Sequence, residues 1–234
     1  NTNFKRIFNI KYKNIYLNKK LFSSQTKNYV QKFVNLDKKS KSQIIEVHNR
    51  PSYIHIINSQ VKNKILTLYF HNDPLSMDGS KTVDQRIGLL KSCYKIIFNS
   101  SWSKKRFLEG LENKFINSNK LLIFYQSAKK NNLSVIKKKK KWITFVGKLN
   151  KAKGYDIFVN SIKIILKKNP NWKAKIIGDE KREKIFLNRK NADLLGFLNH
   201  EKVIKIFKKT SIAIVCSRWD EPFGRTSLEA SANG

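Results

Sequence analysis

The strongest constraint on the fold lies near the carboxyl end, where the apolar, β-branched run Ile212 to Ser217 (IAIVCS) leads through a polar loop into EPFGRTSLEASANG. Such a run reads as a buried parallel strand. Pro222 stands where a first helical residue tolerates a missing N–H, so a helix is expected to open there. Strand, tight loop and helix in that order put the loop at the carboxyl edge of a parallel sheet. Open α/β folds bind their ligands at that edge, and the first N–H groups of the helix point at whatever sits there. Glu221 before the turn and Glu229 on the second turn suit a ligand with hydroxyls beside phosphate, which describes a nucleotide sugar. A glutamate near a helix start also complements the helix dipole, so the pair alone leaves a structural reading open.

A second segment follows the same logic. Trp142 to Val146 reads as another buried strand, ended by Gly147, and Phe158, Ile162, Ile165 and Leu166 recur at helical spacing in the helix behind it, which Asn169-Pro170 stops. The intervening loop carries Lys148, Lys153 and Gly154. Cations at that position can meet a diphosphate already favoured by a helix N-terminus. Among 49 Lys and Arg residues a lysine is ordinarily a solvated surface group, and position alone distinguishes these two.

In order and separation these elements resemble the donor domain of the retaining glycosyltransferases of family 4, also described as glycosyltransferase group 1. Gly147, Lys148, Leu149, Lys153 and Gly154 meet the family's G-(R/K)-L, three residues, K-G. Ile176 to Asp179 meet I-I-G-D, with Glu180 in place of the family's last glycine; Leu194 to Leu198 (LLGFL) meet F-x-G, and Glu221 to Glu229 the E-x7-E signature. The upstream half resembles the acceptor domain through IIEVHNRPSY (44 to 53), LTLYFHNDP (66 to 74) and KIIFNSSWSKKRF (95 to 107), each a strand running into a polar loop or helix start. His71 matches the histidine that faces the donor sugar in such enzymes; a loop-capping role is its structural alternative, and His48 is a weaker candidate.

The resemblance implies an α/β, GT-B-like architecture, two Rossmann-like domains with the active site in the cleft between them. It implies transfer of a sugar from a nucleotide diphosphate donor to a glycan or lipid-linked acceptor, with retention at the anomeric carbon. Lys148, Lys153, Gly147 and the N–H groups near Phe223 and Gly224 would hold the diphosphate. Glu229 would accept hydrogen bonds from the ribose, Glu221 would hold sugar hydroxyls near the reacting carbon, and His71 would act from the other domain. No Asp-x-Asp motif is present to hold a divalent metal, so lysines and the helix dipole are expected to do that work, with no cofactor. A sugar-nucleotide epimerase or phosphorylase of the same architecture, and a noncatalytic basic nucleic-acid-binding protein, are the alternatives.

The departures from the family pattern are specific. The chain begins at Asn1 with Met77 as its sole methionine, and the family's N-terminal strand and first glycine-rich loop have no counterpart; at Ser231 to Gly234 it stops where the family continues. A fragment of an enzyme lacking both ends, or a divergent enzyme, is the reading. Leu121 to Ser127 (LLIFYQS) reads as the last acceptor-domain strand, closing in Gln126-Ser127 where the family has Asn-Gly. Residues 1–140 are assigned to the acceptor side and 141–234 to the donor side, the break falling in the charged stretch 128–141. Tyr29, Val30, Phe33 and Val34 suggest a helix beside the first acceptor strand.

A net charge of +33 would attract polyanions nonspecifically. The basic residues are spread along the whole chain and no known nucleic-acid module appears, so specific nucleic-acid binding is not expected. Peripheral contact with an anionic membrane suits a lipid-linked acceptor. No apolar run approaches the roughly 20 residues that span a bilayer. Cys93 and Cys216 lack metal or redox spacing, and so few cysteines suggest a reducing compartment. The expected location is the cytoplasm or the cytoplasmic membrane face.

Overall fold

The computed structural model describes residues 15–17, 24–40, 42–129, 139–183, 185, 187 and 190–234. The chain divides after Phe124 into two compact units. The lysine-rich stretch expected to hold the break lies mostly outside the described residues, at 130–138. Tyr125 opens the second unit, where its ring lies 6.4 Å from that of Phe223 between centroids.

Among the described residues the first unit is a parallel sheet of four strands in the order β1-β2-β3-β4. α1 (Gln25–Asp37) is capped by Ser24, and β1 (Ile44–His48) precedes α2 (Pro51–Gln60), whose proline occupies a position that needs no N–H. β2 (Ile65–Phe70) leads through a single 3-10 turn to α3 (Val83–Ser92), opened by a Thr82/Gln85 capping box. β3 (Lys95–Phe98), α4 (Ser101–Leu108), α5 (Asn113–Ile116) and β4 (Leu121–Ile123) complete it. Burial follows position in the sheet. β1, at an edge, alternates exposed and buried residues, while interior β2 buries Leu66, Thr67, Leu68 and Phe70. Phe70, Phe98 and Phe107 meet in the core with ring centroids 5.3 to 5.7 Å apart. Buried Arg86 holds this side together from α3: its guanidinium donates to the carbonyls of Phe107 and Glu109 at 2.5 and 2.6 Å and to that of Thr82 at 3.2 Å.

The second unit is also a parallel sheet, in the order β7-β6-β5-β8. Its elements are β5 (Lys140–Val146), α6 (Tyr155–Lys168), β6 (Lys173–Ile177), β7 (Ala192–Leu194), α7 (His200–Phe207), β8 (Thr210–Ile214) and α8 (Arg225–Ser231). α6 lays Phe158, Val159, Ile162 and Leu166 on the sheet, close to the expected set, with Ile165 at the margin.

Three expectations are corrected. The Ile212 strand is parallel but not buried: β8 is an edge strand ending at Ile214, with Ile212 and Val215 each 45% exposed, because among the described residues it pairs with β5 alone. The helix expected from Pro222 begins at Arg225, with Gly224 as its left-handed N-cap and Pro222 buried in the preceding loop. The strand expected over 121 to 127 ends at Ile123; Phe124 donates its N–H to Phe98 O, and beyond it the side chains of Phe124 and Tyr125 are largely exposed.

Candidate functional site

Three loops at the carboxyl ends of β5, β6 and β8 meet in the second unit, and two glycines make the approach possible. Gly154 has φ +69, and a Cβ there would lie 1.8 Å from Cys216 O; Gly178 has φ +139, and a Cβ there would lie 1.8 Å from Gly147 O. Neither the backbone angle nor the space admits a side chain. With those contacts made, the β8 loop docks on the β5 loop through backbone and side chains. Arg218 N–H and Trp219 N–H donate to Ala152 O at 3.0 and 3.2 Å, and the Arg218 guanidinium reaches Lys151 O at 2.9 Å and both Asp156 oxygens at 2.5 and 2.9 Å. That fork holds the Asp156 carboxyl below the usual carboxylate range.

Lys153 and Glu221 meet as an ion pair across the same junction, each side chain about one-third exposed. The two residues singled out from separate motifs are therefore in contact. Lys148 is exposed on the loop that Lys153 closes. Glu229 is not bare: its Oε1 accepts from Arg225 Nη2 at 2.8 Å and lies 3.2 Å from His200 Nε2, leaving the side chain 12% exposed. Phe223 packs on Tyr125, and Gly224 O accepts the Ser227 hydroxyl at 2.7 Å.

Glu180, where the family has glycine, turns back under the lysine loop. Its carboxylate accepts from Arg182 N–H and Nε at 3.1 Å each and from Asn150 Nδ2 at 3.2 Å, while Asn150 Oδ1 accepts Lys153 N–H at 3.0 Å. Arg182 foremost holds the Glu180 carboxyl down at about 2. The sequence reading did not find Glu180, Arg218, Arg225 or His200 as partners. Arg225 was within reach of it, four residues before Glu229 on one helix. The others are brought in by tertiary contacts that local spacing does not encode.

In the first unit, His71 follows β2 and His48 ends β1, and the structure brings them together: His48 Nδ1 lies 2.8 Å from His71 Nε2. Parallel register puts them side by side, because His48 pairs with Tyr69 across the strands. Asn99 Nδ2 donates to His71 O at 2.8 Å. Among the described residues no group of three or more His, Cys, Asp or Glu could hold a metal ion, and no helix is long and apolar enough to cross a membrane.

Two parallel α/β units, the second with glycine-tight loops at its carboxyl strand ends, fit the GT-B-like fold class. Solved structures share it. The HepE protein of Anabaena, in complex with UDP-glucose, aligns with TM-score 0.62 at 16% identity over 88% of this chain and 61% of its own. The pneumococcal O-GlcNAc transferase GtfA, in complex with UDP and GlcNAc, aligns with TM-score 0.65 at 14% identity over 88% and 43%. Residues 126–234 match the family model described as glycosyl transferases group 1. Spore coat protein SA of Bacillus subtilis is 23% identical over 84% of this chain, and an uncharacterised 41.2 kDa protein in the cps region of Klebsiella pneumoniae is 29% identical over 62%. The chain spans 59% and 42% of the lengths of these two relatives.

Proposed function

We propose that the chain is part of a glycosyltransferase that moves a hexosyl group from a nucleotide diphosphate sugar to a glycan or lipid-linked acceptor, with retention at the anomeric carbon. The observation that carries this reading is the Lys153–Glu221 pair at the carboxyl edge of the second sheet, where a diphosphate cation and a sugar-holding carboxylate stand next to one another. Lys153 and Lys148 neutralise the charge that develops on the departing diphosphate, with Gly147 and the N–H groups near Phe223 and Gly224 lining the same edge. Glu221 holds hydroxyls of the transferred sugar, Glu229 holds the ribose, and His71 of the first unit serves the sugar. HepE and GtfA support a UDP-sugar donor by the ligands in their crystals. The reaction uses no divalent metal. The proposed location is the cytoplasm or the cytoplasmic membrane face, with peripheral membrane contact when the acceptor is a lipid.

Calorimetric titration with UDP tests the donor site. Lys153→Ala and Lys148→Ala are each expected to weaken binding by about 1.5–3 kcal/mol, the range for a charge-assisted contact, whereas Lys163→Ala on the exposed side of α6 leaves it unchanged. Equal losses at all three positions would mean that only bulk positive charge attracts the nucleotide, which is the polyanion-binding reading.

A further inference from the structure

The paired histidines of the first unit carry more than the donor chemistry uses. We propose that His48 is a positioning residue that fixes the ring and the tautomer of His71, an inference that deepens the transfer reading and rests on it for its consequence. The two ring planes differ by 9° with centroids 5.1 Å apart, so with nitrogens 2.8 Å apart the rings lie edge to edge in nearly one plane. That is the geometry of a straight N–H···N bond. Tyr69 lies across the pair as a plate, 4.4 Å from His71 at 8° and 5.4 Å from His48 at 11°, and its own hydroxyl is anchored on Phe124 O at 2.9 Å. The backbone is held from below. Asn49, at φ +53, accepts the His71 N–H on Oδ1 at 2.8 Å and donates its own N–H to Tyr69 O at 2.9 Å.

One proton fits between the two facing nitrogens. Glu46 Oε1 lies 3.6 Å from His48 Nε2, beyond hydrogen-bond reach, but its charge favours a proton on that atom, which leaves His48 Nδ1 as the acceptor. The bridging proton then belongs to His71 Nε2, and His71 Nδ1 carries the lone pair. The other charged groups nearby are engaged elsewhere: Arg50 donates to Asn49 O at 2.8 Å and Asp73 is bound by Arg106 at 3.2 Å. A histidine locked in this tautomer has one defined donor nitrogen and one defined acceptor nitrogen, whereas an imidazole without such a neighbour divides its time between two forms.

Long-range nitrogen–proton NMR correlations on the labelled full chain, at mildly alkaline pH, read the tautomer without any assay of activity. His71 is expected in a single Nε2–H form. His48→Asn keeps an acceptor oxygen close to the former Nδ1 and retains that form, while His48→Phe keeps a ring without an acceptor and yields a mixture. In transfer assays His48→Phe lowers kcat about tenfold at unchanged donor KM and His48→Asn restores most of it, as expected for lost orientation. An Nδ1–H form of His71 in the wild type, or a tautomer unchanged in His48→Phe, overturns the proposal. If the tautomers behave as stated while transfer is untouched by either variant, the pairing stands and the assignment of His71 to the reaction falls.

Discussion

Lys153 and Glu221 are paired with one another, and this couples their proposed roles. If Lys153 binds the diphosphate as proposed, the donor would displace Glu221 and leave it available to sugar hydroxyls. Glu221→Gln is therefore expected to bind nucleoside diphosphate at least as well as the wild type, since the competing anion is gone, while kcat falls on the order of 10²-fold. Full turnover in that variant would make Glu221 a loop residue. In its proposed role Glu229 meets a part of the donor that does not react, so Glu229→Ala is expected to raise donor KM and spare kcat, separable in one steady-state experiment. Glu180 makes a stability prediction whose sign follows from its depressed folded-state pKa of about 2. The ionised carboxylate stabilises the fold above the unfolded glutamate value of about 4.3, and that contribution is lost as pH falls toward about 2. The gap in unfolding temperature between wild type and Glu180→Gln should close across that window, and a gap that stays constant would show that Arg182 is no partner in solution.

At the scale of elements, the loops depend on glycine more than the strands depend on any one side chain. Gly154→Ala forces a Cβ into Cys216 O, so the β8 loop must lift from the β5 loop. A loss of about 3 kcal/mol or more is expected by chemical denaturation, well above the roughly 1 kcal/mol for an unstrained exchange. Gly196→Ala, also at positive φ but with nothing within 4 Å, should lose much less and serves as the control for backbone angle alone. The parallel strands and α6 were readable because apolar period and loop chemistry agree there: Phe158, Ile162 and Leu166 face the sheet as their spacing requires. β8 was misread as buried because apolar composition reports what a strand is fit to face, and Ile212 lies on an edge. Pro222 was misread as a helix start because Gly224, two residues on, offers a left-handed cap that a proline signal does not reveal. His48 stood out as no more than a doubtful candidate, since its partner is 23 residues away and only strand register joins them.

For the whole molecule, the excess of 49 basic over 16 acidic residues means that much of its attraction for a nucleotide is long-ranged and screened by salt. Donor affinity is expected to fall with ionic strength, and the selective deficit of Lys153→Ala is expected to persist at high salt. On the proposed metal-free reading, chelation by EDTA should leave transfer unchanged; a loss of turnover restored by magnesium would overturn it. The two units meet different chemical demands with one architecture, a stacked aromatic edge in the first and a charged, glycine-tight edge in the second.

The thiol of Cys216 donates to Gly154 O at 3.1 Å, is partly buried at the contact that joins the β5 and β8 loops, and is pushed above its ordinary pKa by that burial. Alkylation needs a thiolate and an open path, and a looser contact between those loops would favour both. Cys93, 1% exposed and pushed up to about 12, is expected to react far more slowly. Cys216 is thus placed to report on this junction: its alkylation rate is expected to fall when a nucleotide is seated on the lysine loop, in proportion to occupancy.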